Sequence, residues 1–181
     1  KTDSDFRHFV LSRALLMGSA LASPFILLLA QQQANSPELF AAFLLASSLG
    51  ASFSATIWGF MADQSSRRVM FRGGLIAALC CLALFAVEML LPGQNVYLYA
   101  VFYFVLSVAH AGVRIGRQTY LVDMAGGVKR TDYVSVSNSL IGVLLLLFGA
   151  LTSVIASFSL SAVVLILGLS GLLGAISTWK M

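Results

Sequence analysis

Residues 59–68 read "GFMADQSSRR", an acid and two arginines set directly behind an apolar run. On either side charge is nearly absent: Phe40 to Met61 precedes the stretch and Val69 to Leu91 follows it. Each run is long enough to cross a bilayer as a helix, which takes roughly 20 mostly apolar residues. The charges therefore mark a turn between two membrane crossings. Outward from that turn the pattern repeats in Phe9 to Leu29, Val96 to Leu121, Val134 to Ala156 and Leu160 to Trp179, so that 181 residues hold six crossings joined by short loops. Composition agrees, with 59% hydrophobic and 10% charged residues where a soluble domain carries about 25% charged. The expected fold class is an all-α membrane protein, a single domain over residues 1–181 with no separate soluble part.

The first run is too long for a signal peptide, lacks a small-residue cleavage pattern and is followed by five further spans. Cys80 and Cys81 are adjacent in mid-span, where they cannot bridge each other, and are read as packing residues. Basic residues set the orientation, because short loops rich in Lys and Arg normally stay cytoplasmic. Lys1, Arg7 and Arg13 precede or open the first span; Arg67, Arg68 and Arg72 flank the second loop; Lys129 and Arg130 lie in the fourth; Lys180 ends the chain. The alternate loops "QQQANSPE", "PGQN" and "SFS" have no Lys or Arg. Both termini are thus predicted to be cytoplasmic, in what is read as a bacterial inner membrane. Trp58, Tyr133 and Trp179 are expected at the inner interface, Tyr97 and Tyr99 at the outer one. This accounts for the net charge of +4 without nucleic acid, and no basic patch with interleaved aromatics is visible.

Within the opening stretch, Gly59, Ala62, Asp63, Arg67 and Arg68 resemble the loop signature of the major facilitator superfamily, Gly-x-Leu-Ala-Asp-Arg/Lys-x-Gly-Arg/Lys-Arg/Lys. Met61 replaces the usual Leu, Gln64 a basic residue and Ser66 the usual Gly. The resemblance implies that Gly59, Asp63, Arg67 and Arg68 belong to a loop whose charges help set the conformational state, with the basic member missing at Gln64. Residues 112–127, "GVRIGRQTYLVDMAGG", followed by "YVSVSNSLIG", resemble the fourth and fifth helices of a six-helix facilitator half. The opening "FRHFVLSRALLMGSALASPFILLLA" is more similar to the seventh helix than to the first, which implies the C-terminal half. The fifth span lacks the Gly-Pro signature of many antiporters of the family, which fits a C-terminal half or a non-antiporter.

Such a half consists of two three-helix units of inverted topology, here residues 1–93 and 94–181. In each unit the resemblance implies a first helix facing the cavity, a second facing the other half and a third facing mainly lipid. The residues follow that order: the first and fourth spans carry polar side chains, the second and fifth small ones, and the third and sixth are nearly uniform aliphatic.

The fourth span holds the most informative stripe. At about 100° per residue, Tyr103, Ser107, His110, Arg114, Arg117 and Gln118 share one face. Charge at the bilayer centre is costly, roughly 2.5–3.5 kcal/mol per residue on the translocon scale, so this face should meet protein or water. At about 1.5 Å rise per residue, Arg117 lies only about 9 Å inside Asp123, near enough to snorkel or to pair with Asp123 or Asp63. Arg117 and Asp123 are accordingly read as charge-network residues. Arg114, about 13 Å from the same point, is too deep for easy escape and stands open between packing and substrate contact. His110 is read as a packing residue ahead of a proton relay, and Arg13 as an anchor or an interhelix pair.

Pro24 should kink or interrupt the first span, which makes its outer half, with Ser23 and Gln31, a second candidate for the substrate path. Ala46, Gly50 and Ser54, and Ala51, Ala55 and Gly59, form four-residue small rows suited to close helix contact. Ser135, Asn138, Ser139, Gly142 and Gly149 do the same on the fifth span, where Asn138 is a candidate for hydrogen bonding to substrate. The cavity-lining candidates are therefore Tyr103, Ser107, His110, Arg114, Asn138 and Ser23.

An intramembrane enzyme is disfavoured. "GLSG", residues 168–171, mimics a rhomboid protease motif, but His110 precedes Ser170, the reverse of the required order. His8 and His110 are the only histidines and have no Cys or acid placed beside them, so neither a metal nor another cofactor is expected. No phosphate-binding Gly loop with its Lys appears. The expected function is one half of a secondary active transporter moving a small solute by alternating access, with membrane lipid, a small-molecule substrate and another six-helix half as partners. No carboxylate sits in mid-membrane to couple protons. The absence of Met before Lys1 and the start just ahead of a span point to a piece of a twelve-helix protein. The alternatives are a natural half-size homodimer and a six-helix scaffold or partner subunit that transports nothing.

Overall fold

In the computed structural model residues 2–91, 95–124 and 129–181 are described. Lys1 and the "PGQ" part of the third loop lie outside them, as do the side chains of Lys129, Arg130 and Tyr133, so the roles expected of these residues are not addressed by the structure. The described chain is helical from end to end: α1 (Thr2–Leu16), α2 (Gly18–Gln33), α3 (Pro37–Leu90), α4 (Tyr97–Met124), α5 (Lys129–Ala156) and α6 (Leu160–Trp179).

The first crossing is built from α1 and α2. Pro24 lies inside α2 and does not end it; the interruption falls nearer the N-terminus, at Met17. The next residue, Gly18, approaches α6 so closely that a Cβ there would stand 2.7 Å from the Leu167 carbonyl oxygen. Contact with a neighbouring helix, rather than the proline, accompanies this break.

α3 runs for 54 residues, about 81 Å at 1.5 Å per residue, far more than a hydrocarbon core of about 30 Å can hold. It divides at Ser65, whose backbone is extended (φ −165°, ψ 101°). The division is a reversal, as the register along α4 shows. Gly50 meets Phe104 and Ser107, and further along Trp58 meets Gly112. Beyond Ser65 the order inverts: Met70 lies at Gly116, Gly73 at Ala109 and Val113, and Cys80 reaches the Phe102 carbonyl at 3.3 Å. The arms 37–64 and 66–90 are thus two crossings, hinged at the stretch that the charges mark. Ser36 caps the first arm by accepting from the Leu39 amide at 3.2 Å, with Pro37 as first helical residue and Glu38 in the first turn.

α6, capped by Ser159 accepting from Ala162 N at 3.2 Å, runs antiparallel to the second arm, with Gly168 on Cys81, Gly171 on Ala78 and Ala175 beside Gly74. Its other flank holds the first crossing, where Gly174 meets Leu15 and Leu16 and Ser177 shares a 2.7 Å hydrogen bond with Ser12. The largest core lies among α2, α3, α4 and α6, around Ile26, Leu39, Leu84, Tyr99, Leu106 and Leu167. The third and sixth crossings, which read as uniform aliphatic faces for lipid, therefore bury one side each. Gly50 packs on α4 as the small-residue row requires and Ser54 is buried, whereas the Cβ positions of Gly59, Gly142 and Gly149 meet nothing within 4 Å. Phe53 and Phe60 on the first arm are each 70% exposed and Leu146 on α5 is 76% exposed, so these two crossings present the broadest bare apolar flanks.

Two aromatic side chains expected at the interfaces point inward instead. Trp58, 6% exposed, donates Nε1–H to the Val108 carbonyl at 2.8 Å and lies over Gly112. Tyr99 is fully buried. An indole or phenol near a span end satisfies its polar tip either at the headgroups or on a neighbouring helix, and here the Val108 carbonyl and the Glu88 carboxylate provide the second option. Tyr97 and Trp179 remain exposed.

Candidate functional site

Arg13 on α1 is only 8% exposed. Its Nη1 donates to Ser137 Oγ at 2.6 Å and its Nη2 to Asn138 Oδ1 at 2.9 Å, both on α5. Nε is buried and has no hydrogen-bond partner among the described residues. A buried guanidinium has five donors to satisfy, so two acceptors leave it under-supplied.

Arg13 also borders two spaces. The first is a cavity of about 20 Å³ lined by Arg13, Met70, His110, Arg114, Arg117 and apolar neighbours, enough for about one water. The second is an open groove of about 380 Å³ lined by Arg13, Arg117, Gln118 and Asn138 with Leu121, Val122 and Val134. Arg13 and Arg117 belong to both, and form the wall between them. Among the described residues no Asp or Glu lines either space.

The α4 stripe thus divides. His110, Arg114, Arg117 and Gln118 gather beside α1 and α5, with Arg114 exposed. Tyr103 and Ser107 turn to the first arm of α3: Tyr103 packs edge-on against Phe43 (centroids 4.9 Å apart, 68° between planes), and Ser107 Oγ donates back to the Tyr103 carbonyl at 2.8 Å. Ser23, half-buried on α2, lines neither space.

A separate polar groove lies at the hinge. About 370 Å³ in volume, it is bordered by Asp63, Gln64, Ser65, Ser66, Arg67, Tyr120 and Asp123. The Ser66 hydroxyl donates to Asp123 Oδ2 at 3.1 Å and the Arg68 amide to Ser65 Oγ at 3.4 Å. Asp123 thereby joins the hinge residues rather than Arg117. Gly116 makes this possible, since a Cβ there would stand 2.8 Å from Met70 N and 2.9 Å from the Ser66 carbonyl. Arg67 and Arg68 are exposed.

The opposite end carries a cluster that the sequence did not disclose. Gln33 Nε2 donates to Tyr99 Oη at 2.6 Å, and the Tyr99 hydroxyl in turn donates to Glu88 Oε1. This ties α2, the second arm of α3 and the start of α4. One signal was present: a lone carboxylate inside a span needs a polar partner.

Cys80 and Cys81 are buried and free, and among the described residues no group of three or more His, Cys, Asp or Glu could hold a metal. No curated protein and no solved structure matches the chain. A comparison with protein families matches residues 9–181 to the Major Facilitator Superfamily. With apolar helices of membrane-spanning length, a hinged pair of crossings at the signature loop and a match over nearly its whole length, the chain is an integral membrane protein that belongs to the Major Facilitator Superfamily of transporters.

Proposed function

We propose that the chain forms a six-helix half, the C-terminal one, of a secondary active transporter that moves a small solute by alternating access. The observation that carries this is the placement of polarity. Arg13, His110, Arg114, Arg117, Gln118 and Asn138 collect where α1, α4 and α5 adjoin, while apolar flanks are bare on α5 and the first arm of α3. A polar path on one side with apolar rims beside it suits a cavity closed by a second six-helix half and surrounded by lipid.

The division into repeats at residues 1–93 and 94–181 is supported by paired contacts. The third crossing meets the fourth at Gly73, and the sixth meets the first at Gly174. A two-fold axis exchanging the units would pair these same crossings. Both termini and the Ser65 hinge face the cytoplasm of a bacterial cell in this reading, as the loop charges require. The chain catalyses no reaction and binds no nucleic acid. A self-pairing half is the second reading, favoured by the open Cβ positions at Gly142 and Gly149, which leave room for another helix.

The test is side-specific labelling of the intact transporter in vesicles with Ser23→Cys and Gln118→Cys. Each cysteine should react with an impermeant maleimide from its own side. A bulky adduct at Gln118→Cys should trap one state and sharply reduce labelling at Ser23→Cys, because the two accesses belong to exclusive conformations. Independent labelling at both positions would show that access does not alternate.

A further inference from the structure

Among the described residues, charge around the α1–α4–α5 junction does not balance. α1 supplies Arg13; α4 supplies His110, Arg114 and Arg117; the second arm of α3 supplies Met70; and the described part of α5 supplies the neutral Ser137 and Asn138. Among the described residues the acids are engaged or distant. Asp123 accepts from Ser66 in the hinge groove, and Glu88 is held by Tyr99 at the other end of the bundle. Arginines buried against one another between helices, with no described carboxylate lining the space, are costly unless an anion joins them.

The geometry points to an oxyanion-binding site at the wall formed by Arg13 and Arg117, with Gln118 and Asn138 at its rim, that takes the phosphate or carboxylate group of the transported solute or of an anionic lipid. Four features support it. Arg13 is more than nine-tenths buried and its Nε has no partner among the described residues. A guanidinium presents a planar fork that matches carboxylate and phosphate oxygens, and two of them can share one anion. The amide N–H groups of Gln118 and Asn138 are neutral donors to the same oxygens. The groove beside the wall, about 380 Å³, has room for a small anionic group, and the 20 Å³ cavity behind it has room for about one water at the rear of the arginines.

Asn138 Oδ1 and Ser137 Oγ, by accepting from the Nη atoms, hold the Arg13 fork in place instead of neutralising it. A neutral tether leaves the full positive charge for a ligand. A carboxylate in either place would have cancelled it.

This assignment rests on the junction being part of a solute path, and binding can be measured without transport. The experiment follows thermal unfolding of the intact purified protein in neutral detergent, by tryptophan fluorescence, with sodium phosphate, sodium citrate or sodium chloride at matched ionic strength. A second arm compares nanodiscs of phosphatidylglycerol with nanodiscs of phosphatidylcholine. Phosphate or citrate should raise the midpoint by about 3 °C or more beyond chloride. Arg117→Gln and Arg13→Gln should lose that shift, Arg117→Lys should retain part of it, and Arg72→Gln, an exposed arginine outside the cluster, should retain all of it. Protection confined to phosphatidylglycerol, and lost in Arg117→Gln, supports the site and assigns it to a lipid headgroup. Absence of protection by phosphate, citrate and phosphatidylglycerol alike, or protection undiminished in Arg117→Gln, overturns the site; if Arg13→Gln does not fold, Arg117→Gln decides. Loss of alternating labelling with anion protection intact would count against the transport reading alone.

Discussion

Arg13 and Ser137 are 124 positions apart in the chain and joined by a 2.6 Å hydrogen bond, Nη1 to Oγ, that fastens the first crossing to the fifth. Both are buried, and with the 2.9 Å bond from Nη2 to Asn138 Oδ1 the pair forms the polar tie between these crossings among the described residues. Interhelical hydrogen bonds in bilayers are worth about 0.6 kcal/mol on average and up to about 1.7. The charge on Arg13 places this one toward the upper end. A double-mutant cycle with Arg13→Met and Ser137→Ala should give a coupling of about 1–2 kcal/mol in reversible unfolding. A coupling near zero would mean that α5 is held by its apolar contacts.

Glycines in this bundle separate into two groups with opposite expectations. At Gly116 an added methyl would meet Met70 N and the Ser66 carbonyl, both backbone atoms that cannot swing aside. Gly116→Ala should therefore destabilise the chain by about 1–3 kcal/mol. At Gly142 the same methyl meets nothing within 4 Å, and helix propensity favours alanine by up to about 1 kcal/mol. Gly142→Ala should be neutral or stabilising. Thermal midpoints of the two variants, measured side by side, check both signs.

The Tyr99 hydroxyl serves two partners at once, accepting from Gln33 and donating to Glu88. Tyr99→Phe keeps the ring in its fully buried place and removes only that hydroxyl. A cost of about 1–3 kcal/mol is expected. Glu88→Gln should then cost less in the Tyr99→Phe background than in the unmodified protein, because part of what it disrupts is already gone. Equal costs in the two backgrounds would show that Glu88 depends mainly on other groups.

What the sequence discloses and what it conceals follow from the period of the signals. The six crossings are legible because a hydrophobic run of span length has few other uses, and Ser65 breaks α3 where "DQSSRR" interrupts that run. The face each crossing buries is harder to read. In the third and sixth crossings nearly every residue is apolar, so the buried side is disclosed by glycines such as Gly73, Gly168, Gly171 and Gly174, where a Cβ would meet a neighbouring helix. The stripe on α4 is a true single face, yet from Tyr103 to Gln118 it spans about 22 Å and passes two different neighbours. Tyr103 and Ser107 consequently meet α3 while Arg114 and Arg117 meet α1. Tyr99 and Trp58 sit near span ends, where hydropathy cannot separate an interfacial ring from an inward one.

Ser66 occupies the place where the family's loop signature has glycine, and it is the residue that links the hinge to Asp123. Ser66→Gly restores the signature and removes the link. If the link holds the second arm of α3 against the end of α4, its loss should loosen the hinge. Amide hydrogen exchange around residues 63–68 and 119–123 should then rise in Ser66→Gly, and Asp123→Asn should produce a smaller rise, because its amide oxygen can still accept from the serine. Combining the two should add little to Ser66→Gly alone, since both act on one bond. The buried face between Gly116 and Met70 should stay protected in every variant, as its contacts are packing contacts that neither substitution touches. An unchanged exchange pattern in Ser66→Gly would assign the closure of the hinge to that packing and leave the serine as a substitution without structural effect.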